Sequence, residues 1–193
     1  MLFNSYVFIS KPQVAVITSL ARYRLKIKTV EELAQIIGGR QRQKTVVMCH
    51  GVFDVVHPGH IRHLLYAKSK ADILIASLTT DAHIRKGKDR PHVPQDLRAL
   101  NLAAFEAVDY VIIDVNATPI QNISTLQPDF FAKGYEYTAA GLPPKTQEEG
   151  DVLRAYGGEM LFTPGDIVYS STTLIDLAPP AIRIEKLLTV MES

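Results

Sequence analysis

Two histidines stand three residues apart in the tetrapeptide His57-Pro-Gly-His60. If this segment opens a helix, both imidazoles lie on the same side of the first turn and can face one ligand. A helix start also offers unpaired backbone N–H groups and partial positive charge, and Gly59 lets an anion approach the backbone closely. The pattern therefore predicts a phosphate site with two imidazole donors. The alternatives are a metal site or two unrelated surface histidines, but zinc needs further ligands, and none stands at metal-ligand spacing.

The residues around this pair resemble a family signature. The string GVFDVVHPGH, from Gly51 to His60, is similar to the G-x-F-D-x-x-H-x-G-H motif of the cytidylyltransferase-like nucleotidyltransferases at every fixed position. The resemblance implies that His57 and His60 contact the nucleotide phosphates and stabilise the transition state. It places Asp54 near the site, in a structural or acceptor-binding role. The implied nucleotide-binding set in this string is Gly51, Val52, Phe53, His57, Gly59 and His60.

The implied reaction is the transfer of a nucleoside monophosphate. An oxygen of an acceptor phosphate attacks the α-phosphorus of a nucleoside triphosphate, and pyrophosphate leaves. Negative charge grows on the α-phosphate and on the leaving oxygen, where imidazole, lysine and arginine donors, a helix start and Mg²⁺ stabilise it. No covalent protein nucleophile is needed, because the acceptor phosphate is itself the nucleophile.

Further stretches resemble other parts of the same family. Ser171-Thr172-Thr173 is similar to its second signature, I-S-T-T, which implies that a last helix begins there and binds the triphosphate. Lys86 resembles the lysine of the loop after the second strand, which faces the phosphates. Arg98 resembles the arginine of an E-Q-R element, although Asp96-Leu97 precede it here. The implied catalytic set is His57, His60, Lys86 and Arg98.

The remaining candidates concern the base and the acceptor. The segment Lys133-Gly-Tyr-Glu-Tyr137 resembles the K-G-x-D/E-Y element of the family, which implies nucleotide contact by Lys133 and substrate contact by Tyr137. His50 ends the first predicted strand, directly before the signature. The expected substrate-binding set is His50, Asp54, Lys86, Arg90 and Tyr137. The other histidines receive no catalytic role, and we expect His63 on a helix surface.

Alternating strands and helices must position these residues. Apolar, mostly β-branched runs predict strands at 44–50, 72–78, 110–115, 129–132 and 159–163, and helical spacing predicts helices at 29–37, 60–70, 95–108, 119–126 and 147–156. We expect Leu97, Leu100, Ala104 and Val108 on the buried side of the third helix, and Ile61, Leu64 and Leu65 on one face of the second. The alternation predicts a Rossmann-like α/β/α fold with a five-stranded parallel sheet. Ligands of such sheets bind beyond the carboxyl ends of the strands, where the strand order reverses.

Composition narrows the possible functions. The 193 residues carry a net charge of +1, which argues against non-specific nucleic-acid binding and allows a local anion site. The single cysteine, Cys49, fits a reducing compartment, so we expect a cytoplasmic protein. No apolar run reaches the roughly 18–20 residues of a membrane span. We expect an N-terminal arm at 1–27, a catalytic domain at 28–178 and a helical tail at 179–193.

Within the family, the sequence is most similar to the adenylyltransferase half of the bifunctional heptose-phosphate kinase/adenylyltransferases. The resemblance lies in Lys28–Leu33, Glu106–Asp109, Lys133-Gly134 and Gly157–Glu159. It implies transfer from ATP, or CTP, to a sugar 1-phosphate such as heptose 1-phosphate, with Mg²⁺ accompanying the triphosphate. Glycerol-3-phosphate cytidylyltransferases carry R-Y-V-D where this chain has Glu106-Ala-Val-Asp109, which argues against glycerol phosphate.

Two alternatives stay open at this point. One is a cytidylyltransferase acting on a polyol phosphate or another phosphate ester, and the other is a catalytically weak nucleotide-binding regulatory module. The intact histidine pair argues against the second. We also expect a homodimer and, since the sequence contains no sugar-kinase domain, a separate sugar kinase as partner.

Overall fold

The computed structural model describes residues 20–85, 87, 90–134 and 142–163. Strands and helices alternate along these residues. The strands are β1 (Val46–Gly51), β2 (Ile73–Thr79), β3 (Tyr110–Asp114), β4 (Phe130–Lys133) and β5 (Glu159–Phe162). The helices are α1 (Val30–Ile37), α2 (Pro58–Lys68), α3 (Gln95–Ala103), α4 (Ile120–Leu126) and α5 (Pro144–Ala155). The predicted alternation is thus confirmed, with boundaries that move by a few residues.

The sheet has the strand order β3-β2-β1-β4-β5, and every pairing is parallel. The chain builds outward from β1 to β3, then returns to place β4 on the other side of β1. The strand order therefore reverses between β1 and β4, and the carboxyl ends of these two strands flank a crevice. The predicted Rossmann-like fold with a five-stranded parallel sheet is confirmed.

Alternate residues of β1 bury their side chains on opposite faces of the sheet. Val47 and Cys49 belong to the core that packs against α2 and α3, while Val46 and Met48 belong to the core under α1, α4 and α5. All four side chains are fully buried. A strand that is covered on both faces reads as a continuous apolar run, which is why the sequence between residues 46 and 49 shows no alternation.

Helix α3 differs from its prediction in both length and buried face. It ends at Ala103, because the chain turns there and the Lys26 ammonium caps the Phe105 and Val108 carbonyls at 3.1 Å and 2.7 Å. Its buried side consists of Arg98, Ala99, Leu102 and Ala103, while Leu97 is 52% exposed. The expectation was wrong for Leu97 and Ala104, which are exposed. Leu100 is half-buried, and Val108, beyond the end of the helix, is buried as expected. The difference arises because the hydrogen-bonded Arg98 occupies the inner face of the helix.

Helix α2 shows a similar correction. Leu64 and Ala67 are buried against the sheet, whereas Ile61 is 37% and Leu65 is 54% exposed. Of the three residues expected on one face, Ile61, Leu64 and Leu65, only Leu64 is therefore buried. Leu64 and Ala67 are three residues apart, less than one turn of helix, so they lie on the side that packs against the sheet.

The chain before α1 joins the edge of the sheet. Lys28 donates its N–H to the Val111 carbonyl, and Val111 donates to the Lys26 carbonyl, both at 2.9 Å. Thr29 and Glu32 then form a reciprocal capping box at the start of α1. The expected division at residues 27 and 178 stays a prediction. The start of the arm, the helix near Ser171 and the tail at 179–193 lie outside the described residues.

None of the helices in the described ranges is both long and apolar enough to cross a bilayer.

Candidate functional site

The loop after β1 has a constrained backbone that presents the signature residues. Phe53 adopts a left-handed conformation with φ of 50°, and its ring is buried. A Cβ added at Gly51 would lie 3.3 Å from Cε2 of that ring. Gly51 therefore makes room for the aromatic ring, and the ring closes the loop onto the core. This packing explains why a glycine and a phenylalanine occur together in this string.

The His57 and His60 imidazoles stack on each other at the start of α2. Their ring centroids are 3.9 Å apart with an interplanar angle of 28°, and the Phe53 ring lies 5.1 Å from that of His60. His57 is the N-cap residue, and Pro58 occupies the first helical position. The spacing thus brings the two imidazoles together as expected, while their contact with phosphate stays a prediction.

His57 has hydrogen-bonding capacity to spare. Its side chain is buried, and no described residue bonds its Nδ1 atom. Burial lowers the pKa of His57, which keeps the imidazole neutral in the free protein. Buried polar atoms without hydrogen-bond partners are uncommon, because each missing hydrogen bond costs free energy. An anionic ligand would both satisfy the ring and favour its protonated, donating form.

Asp54 and Arg90 contact each other in this structure. The Asp54 carboxylate is buried, accepts the Val93 N–H at 3.0 Å and lies 3.2 Å from the Arg90 guanidinium. The pair ties the loop that follows β2 to the signature loop that follows β1. The expected substrate contacts of both residues stay predictions, and the geometry shows that the pair also has a structural role.

The Arg98 guanidinium holds three backbone segments together. It is fully buried and donates to the carbonyls of Val93 at 2.9 Å, Thr79 at 3.0 Å and Val52. It also forms an ion pair with Asp81. All these acceptors belong to the protein, so the structure gives Arg98 a positioning role between β2, the signature loop and the chain before α3. Its direct catalytic contact, as expected from the resemblance, stays a prediction.

Lys133 projects from the end of β4, on the other side of the crevice. Its side chain is 9% exposed, and the ammonium donates to Thr146 Oγ1 at 3.0 Å and to the Glu149 carboxylate, both on α5. Burial raises the pKa of Glu149, and the neighbouring Lys133 charge opposes that rise. The expected nucleotide contact of Lys133 stays a prediction. Lys86, Tyr137 and Ser171-Thr172-Thr173 lie outside the described residues.

His50 lines the carboxyl end of β1, as its position in the sequence indicates. Its Nδ1 lies 2.9 Å from Ser77 Oγ, and its Nε2 lies 3.2 Å from Thr79 Oγ1. Burial, aided by the charge of Lys133, lowers the pKa of His50 to about 4. The ring is therefore neutral near pH 7 and offers one donor and one acceptor. Its contact with substrate stays a prediction.

Sequence reasoning missed Asp114, the last residue of β3. Its side chain is fully buried, and Oδ2 lies 3.7 Å from His50 Nδ1. Burial raises the pKa of this carboxyl. The signal that could have found it is a carboxylate at the carboxyl end of an otherwise apolar strand. Its relation to His50 depends on the strand order, which a single sequence does not show.

His63 is also placed differently from the expectation. It is half-buried on α2, and its Nδ1 lies 3.2 Å from Thr163 Oγ1, directly after β5. Burial lowers the pKa of His63 to about 4. The expected surface position was wrong, because the turn of helix beyond His60 faces the end of the sheet.

The strand order and the imidazole pair at the start of α2 define an α/β protein with a stacked histidine pair beside its topological switch point. The family model described as cytidylyltransferase-like matches residues 48–176. The chain belongs to this family, and it is a nucleotidyltransferase.

Curated relatives support the same assignment. The chain is 39% identical over 154 residues to a bifunctional protein HldE of Geobacter metallireducens, which covers 78% of this chain and 30% of the relative. It is 43% identical over 117 residues to a bifunctional protein HldE of Campylobacter jejuni subsp. doylei, with 60% and 25% covered. The chain thus spans less than a third of the length of these relatives.

Solved structures share the fold at low sequence identity. A lipopolysaccharide core biosynthesis protein of Thermoplasma volcanium aligns with a TM-score of 0.54 and 22% identity, over 63% of this chain and 97% of that chain. A pantoate-beta-alanine ligase of Francisella tularensis aligns with a TM-score of 0.56 and 14% identity, over 86% and 79%. These likenesses concern the fold alone.

Proposed function

We propose that this enzyme transfers a nucleoside monophosphate from ATP, or CTP, to a sugar 1-phosphate such as heptose 1-phosphate, and releases pyrophosphate. The observation that carries the proposal is the stacked His57–His60 pair at the start of α2, beside the point where the strand order reverses. A buried, unbonded imidazole nitrogen at a helix start is suited to phosphate oxygens. The HldE relatives and the family model support a nucleotidyltransferase that acts on a sugar phosphate. ATP as donor is favoured only by the resemblance to the heptose enzymes.

The chemistry requires positive charge that is local, because the chain as a whole is nearly neutral. As negative charge develops on the α-phosphate, the imidazole donors at the start of α2 stabilise it from fixed positions. Burial lowers the pKa of His57 in the free protein. The negative charge of a bound phosphate raises the pKa, so the ring becomes a stronger donor when the anion is present.

Mg²⁺ fits this site as a companion of the triphosphate. Among the residues that the structure describes, no three His, Cys, Asp or Glu side chains are grouped to hold a metal ion. Mg²⁺ commonly enters such sites on substrate phosphates with few protein ligands. The ion would neutralise charge on the triphosphate, while the protein's own residues hold the reacting phosphates in place.

Other assignments belong to the same proposal. We place the enzyme in the cytoplasm, as a homodimer without nucleic-acid or membrane partners, and with a sugar kinase supplied separately or on an adjoining segment. The word "bifunctional" in the relatives' names and their greater length support a second activity near this one. A cytidylyltransferase with a polyol phosphate acceptor is the second candidate, because the matching family model is described as cytidylyltransferase-like.

Pyrophosphate release tests the proposal. The purified chain is incubated with Mg²⁺, each of ATP and CTP, and each of heptose 1-phosphate, mannose 1-phosphate, glycerol 3-phosphate and methyl phosphate. We expect release with a sugar 1-phosphate and ATP, and formation of the matching nucleotide sugar. Release with glycerol 3-phosphate and CTP alone would replace this proposal by the second candidate. Nucleotide binding without release under any combination would show a binding module.

A further inference from the structure

Six polar residues gather at the carboxyl ends of β1, β2 and β3. Because these strands are neighbours, His50 lies in register with Ser77, and Thr79 lies in register with Asp114. The turn after β3 and helix α4 add two asparagines. We refer to these residues as the β1–β3 cluster, which consists of His50, Ser77, Thr79, Asp114, Asn116 and Asn122.

Two buried side chains of the cluster have hydrogen-bonding capacity that the protein does not use. Asp114 Oδ1 accepts the backbone and side-chain N–H groups of Asn116 at 2.9 Å and 3.0 Å, but Oδ2 has no hydrogen bond from any described residue. Asn122 Oδ1 accepts from Asn116 Nδ2 at 3.3 Å. Its own Nδ2 makes no well-formed hydrogen bond with a described residue, although the Asn122 amide lies close enough to the Asp114 carboxyl to lower the pKa of that group. The Asp114 side chain is fully buried, and Asn122 is 2% exposed. Buried polar groups without hydrogen bonds cost free energy, so two of them side by side indicate a site for a ligand that bonds them.

The cluster reaches the surface through other members. The His50 side chain is 15% exposed, and Thr79 and Asn116 are half-buried. A ligand that approaches the carboxyl ends of the strands therefore meets an imidazole, a hydroxyl and an amide before it meets Asp114 and Asn122. Both nitrogens of the neutral His50 ring already bond the hydroxyls of Ser77 and Thr79. A ligand hydroxyl therefore replaces one of these contacts or bonds the amide of Asn116.

The charge of the cluster decides which part of a ligand it accepts. In the described part of the chain, no lysine or arginine forms an ion pair with Asp114. His50 Nδ1 lies 3.7 Å from it, and the charge of His83 lowers the pKa of the Asp114 carboxyl. A carboxylate without a cation disfavours phosphate and favours neutral hydroxyl groups, which donate to it. The cations of the site, by contrast, lie at the signature loop and at the end of β4.

We propose that the β1–β3 cluster is the subsite for the hydroxyl groups of the acceptor. His50, Thr79 and Asn116 meet the ligand first, and Asp114 Oδ2 and Asn122 Nδ2 make hydrogen bonds that are unmade in the free protein. The acceptor is accordingly a polyhydroxylated phosphate ester, whose phosphate lies towards His57 and whose hydroxyls lie over β2 and β3. This inference rests on the proposed function, because it assigns the phosphate and the hydroxyl groups of one acceptor to two ends of the same crevice.

Equilibrium binding tests the inference independently of turnover. Calorimetry with α,β-methylene ATP present measures the affinity for heptose 1-phosphate, mannose 1-phosphate and glucose 1-phosphate, each relative to methyl phosphate. We expect the wild type to prefer at least one sugar phosphate, and Asp114→Asn to lower that preference by about ten- to hundredfold, as for loss of a hydrogen bond to a charged group. The affinity for methyl phosphate should not change.

A second variant and a matched control exclude a loss of folding. Asn122→Leu removes the amide in nearly the same volume, together with the long 3.3 Å bond from Asn116. It should lower the melting temperature only slightly and reduce the sugar preference. Asp109→Asn is the control, because Asp109 lies directly before the start of β3, at the opposite end of that strand from Asp114. Its carboxylate accepts hydrogen bonds from the Leu74 N–H and from Lys68. This substitution should alter stability and leave the preference intact.

The outcomes separate this inference from the proposed function. No wild-type preference for any of the three sugar phosphates over methyl phosphate would overturn the subsite, whatever the pyrophosphate assay shows. An equal loss for sugar phosphates and methyl phosphate in both cluster variants would overturn it as well. A sugar preference that depends on Asp114 and Asn122, without pyrophosphate release, would support the subsite and reject the proposed reaction.

Discussion

A single imidazole nitrogen shows how the site is prepared for an anion. His57 Nδ1 is buried and lacks a bond from any described residue, yet the ring is held by stacking on His60 and by its place at the N-cap of α2. Catalytic groups that are held in advance do not need to reorganise when charge develops, which is where much of the rate enhancement of enzymes originates. The cost of burial is thus recovered when the phosphate binds.

Replacement of His57 by alanine should remove that contribution. We expect kcat to fall roughly 100- to 1,000-fold, in the range measured for the loss of one transition-state donor. The melting temperature should stay near that of the wild type, because no described residue bonds His57 Nδ1. Initial rates of pyrophosphate release at saturating substrates measure the effect. His92→Ala is the control, since His92 is exposed; equal rates in the two variants would contradict the role of His57.

Gly51→Ala should act through the neighbouring phenylalanine. The added Cβ would lie 3.3 Å from the Phe53 ring, which is buried and already held in a left-handed backbone conformation. We expect a loss of about 1–3 kcal/mol in the free energy of unfolding, typical of overpacking, together with a raised KM for the nucleotide. Urea unfolding and initial rates measure the two effects. Gly39→Ala is the control, because its added Cβ would meet no atom within 4 Å.

At the scale of elements, the site depends on backbone segments that a few side chains tie together. Asp54 accepts a hydrogen bond from the Val93 N–H, and Arg98 donates one to the Val93 carbonyl. Both backbone groups of this residue, which lies in the chain before α3, are therefore fixed by side chains. Because Arg98 also bonds Val52 and Thr79, movement of the loop after β2 is coupled to the signature loop.

Arg98→Lys should break this arrangement while keeping the charge. An ammonium cannot reproduce the planar fork that reaches three carbonyls and Asp81 at once. We expect unfolding to become easier by about 3–5 kcal/mol, as for other broken buried pairs, and nucleotide affinity to fall. Arg154→Lys serves as the control, because that side chain is 68% exposed. If both variants unfold at the same denaturant concentration, Arg98 does not tie these segments together.

The elements also show what the sequence could and could not predict. Periodicity and β-branching located all five strands, because most of them are apolar runs buried on both faces; only β5, at the edge of the sheet, has no buried residue. The buried face of α3 was not predictable, because Arg98 is buried where it donates hydrogen bonds to carbonyls of three separate backbone segments, and a sequence does not show that these segments meet. Likewise, the glycine-rich signature identifies the phosphate end of the site, whereas the pairing of His50 with Asp114 requires knowledge that β1, β2 and β3 are neighbours in that order.

At the scale of the whole molecule, two half-buried histidines link folding to pH. Burial lowers the pKa values of His50 and His63 to about 4, against an ordinary value of 6.5. Between these values the unfolded chain binds more protons than the folded one, so stability rises with pH. The stabilisation from neutral imidazoles is complete above pH 6.5 and is lost as the pH falls towards 4. The raised pKa values of Asp114 and Glu149 act in the opposite direction at the acid end of this range.

His63→Asn isolates one of these contributions. Asparagine can keep a hydrogen bond to Thr163 Oγ1 but does not titrate, so the difference in stability between wild type and variant should itself depend on pH. We expect the wild type to lose up to about 3 kcal/mol relative to the variant between pH 6.5 and 4. Urea unfolding at half-unit intervals of pH measures this difference, with His83→Asn as the control because His83 is a more exposed histidine. A difference that stays constant across the range would show that His63 has the same pKa in the folded and unfolded states, and the acid sensitivity of the fold would then depend on its carboxyl groups.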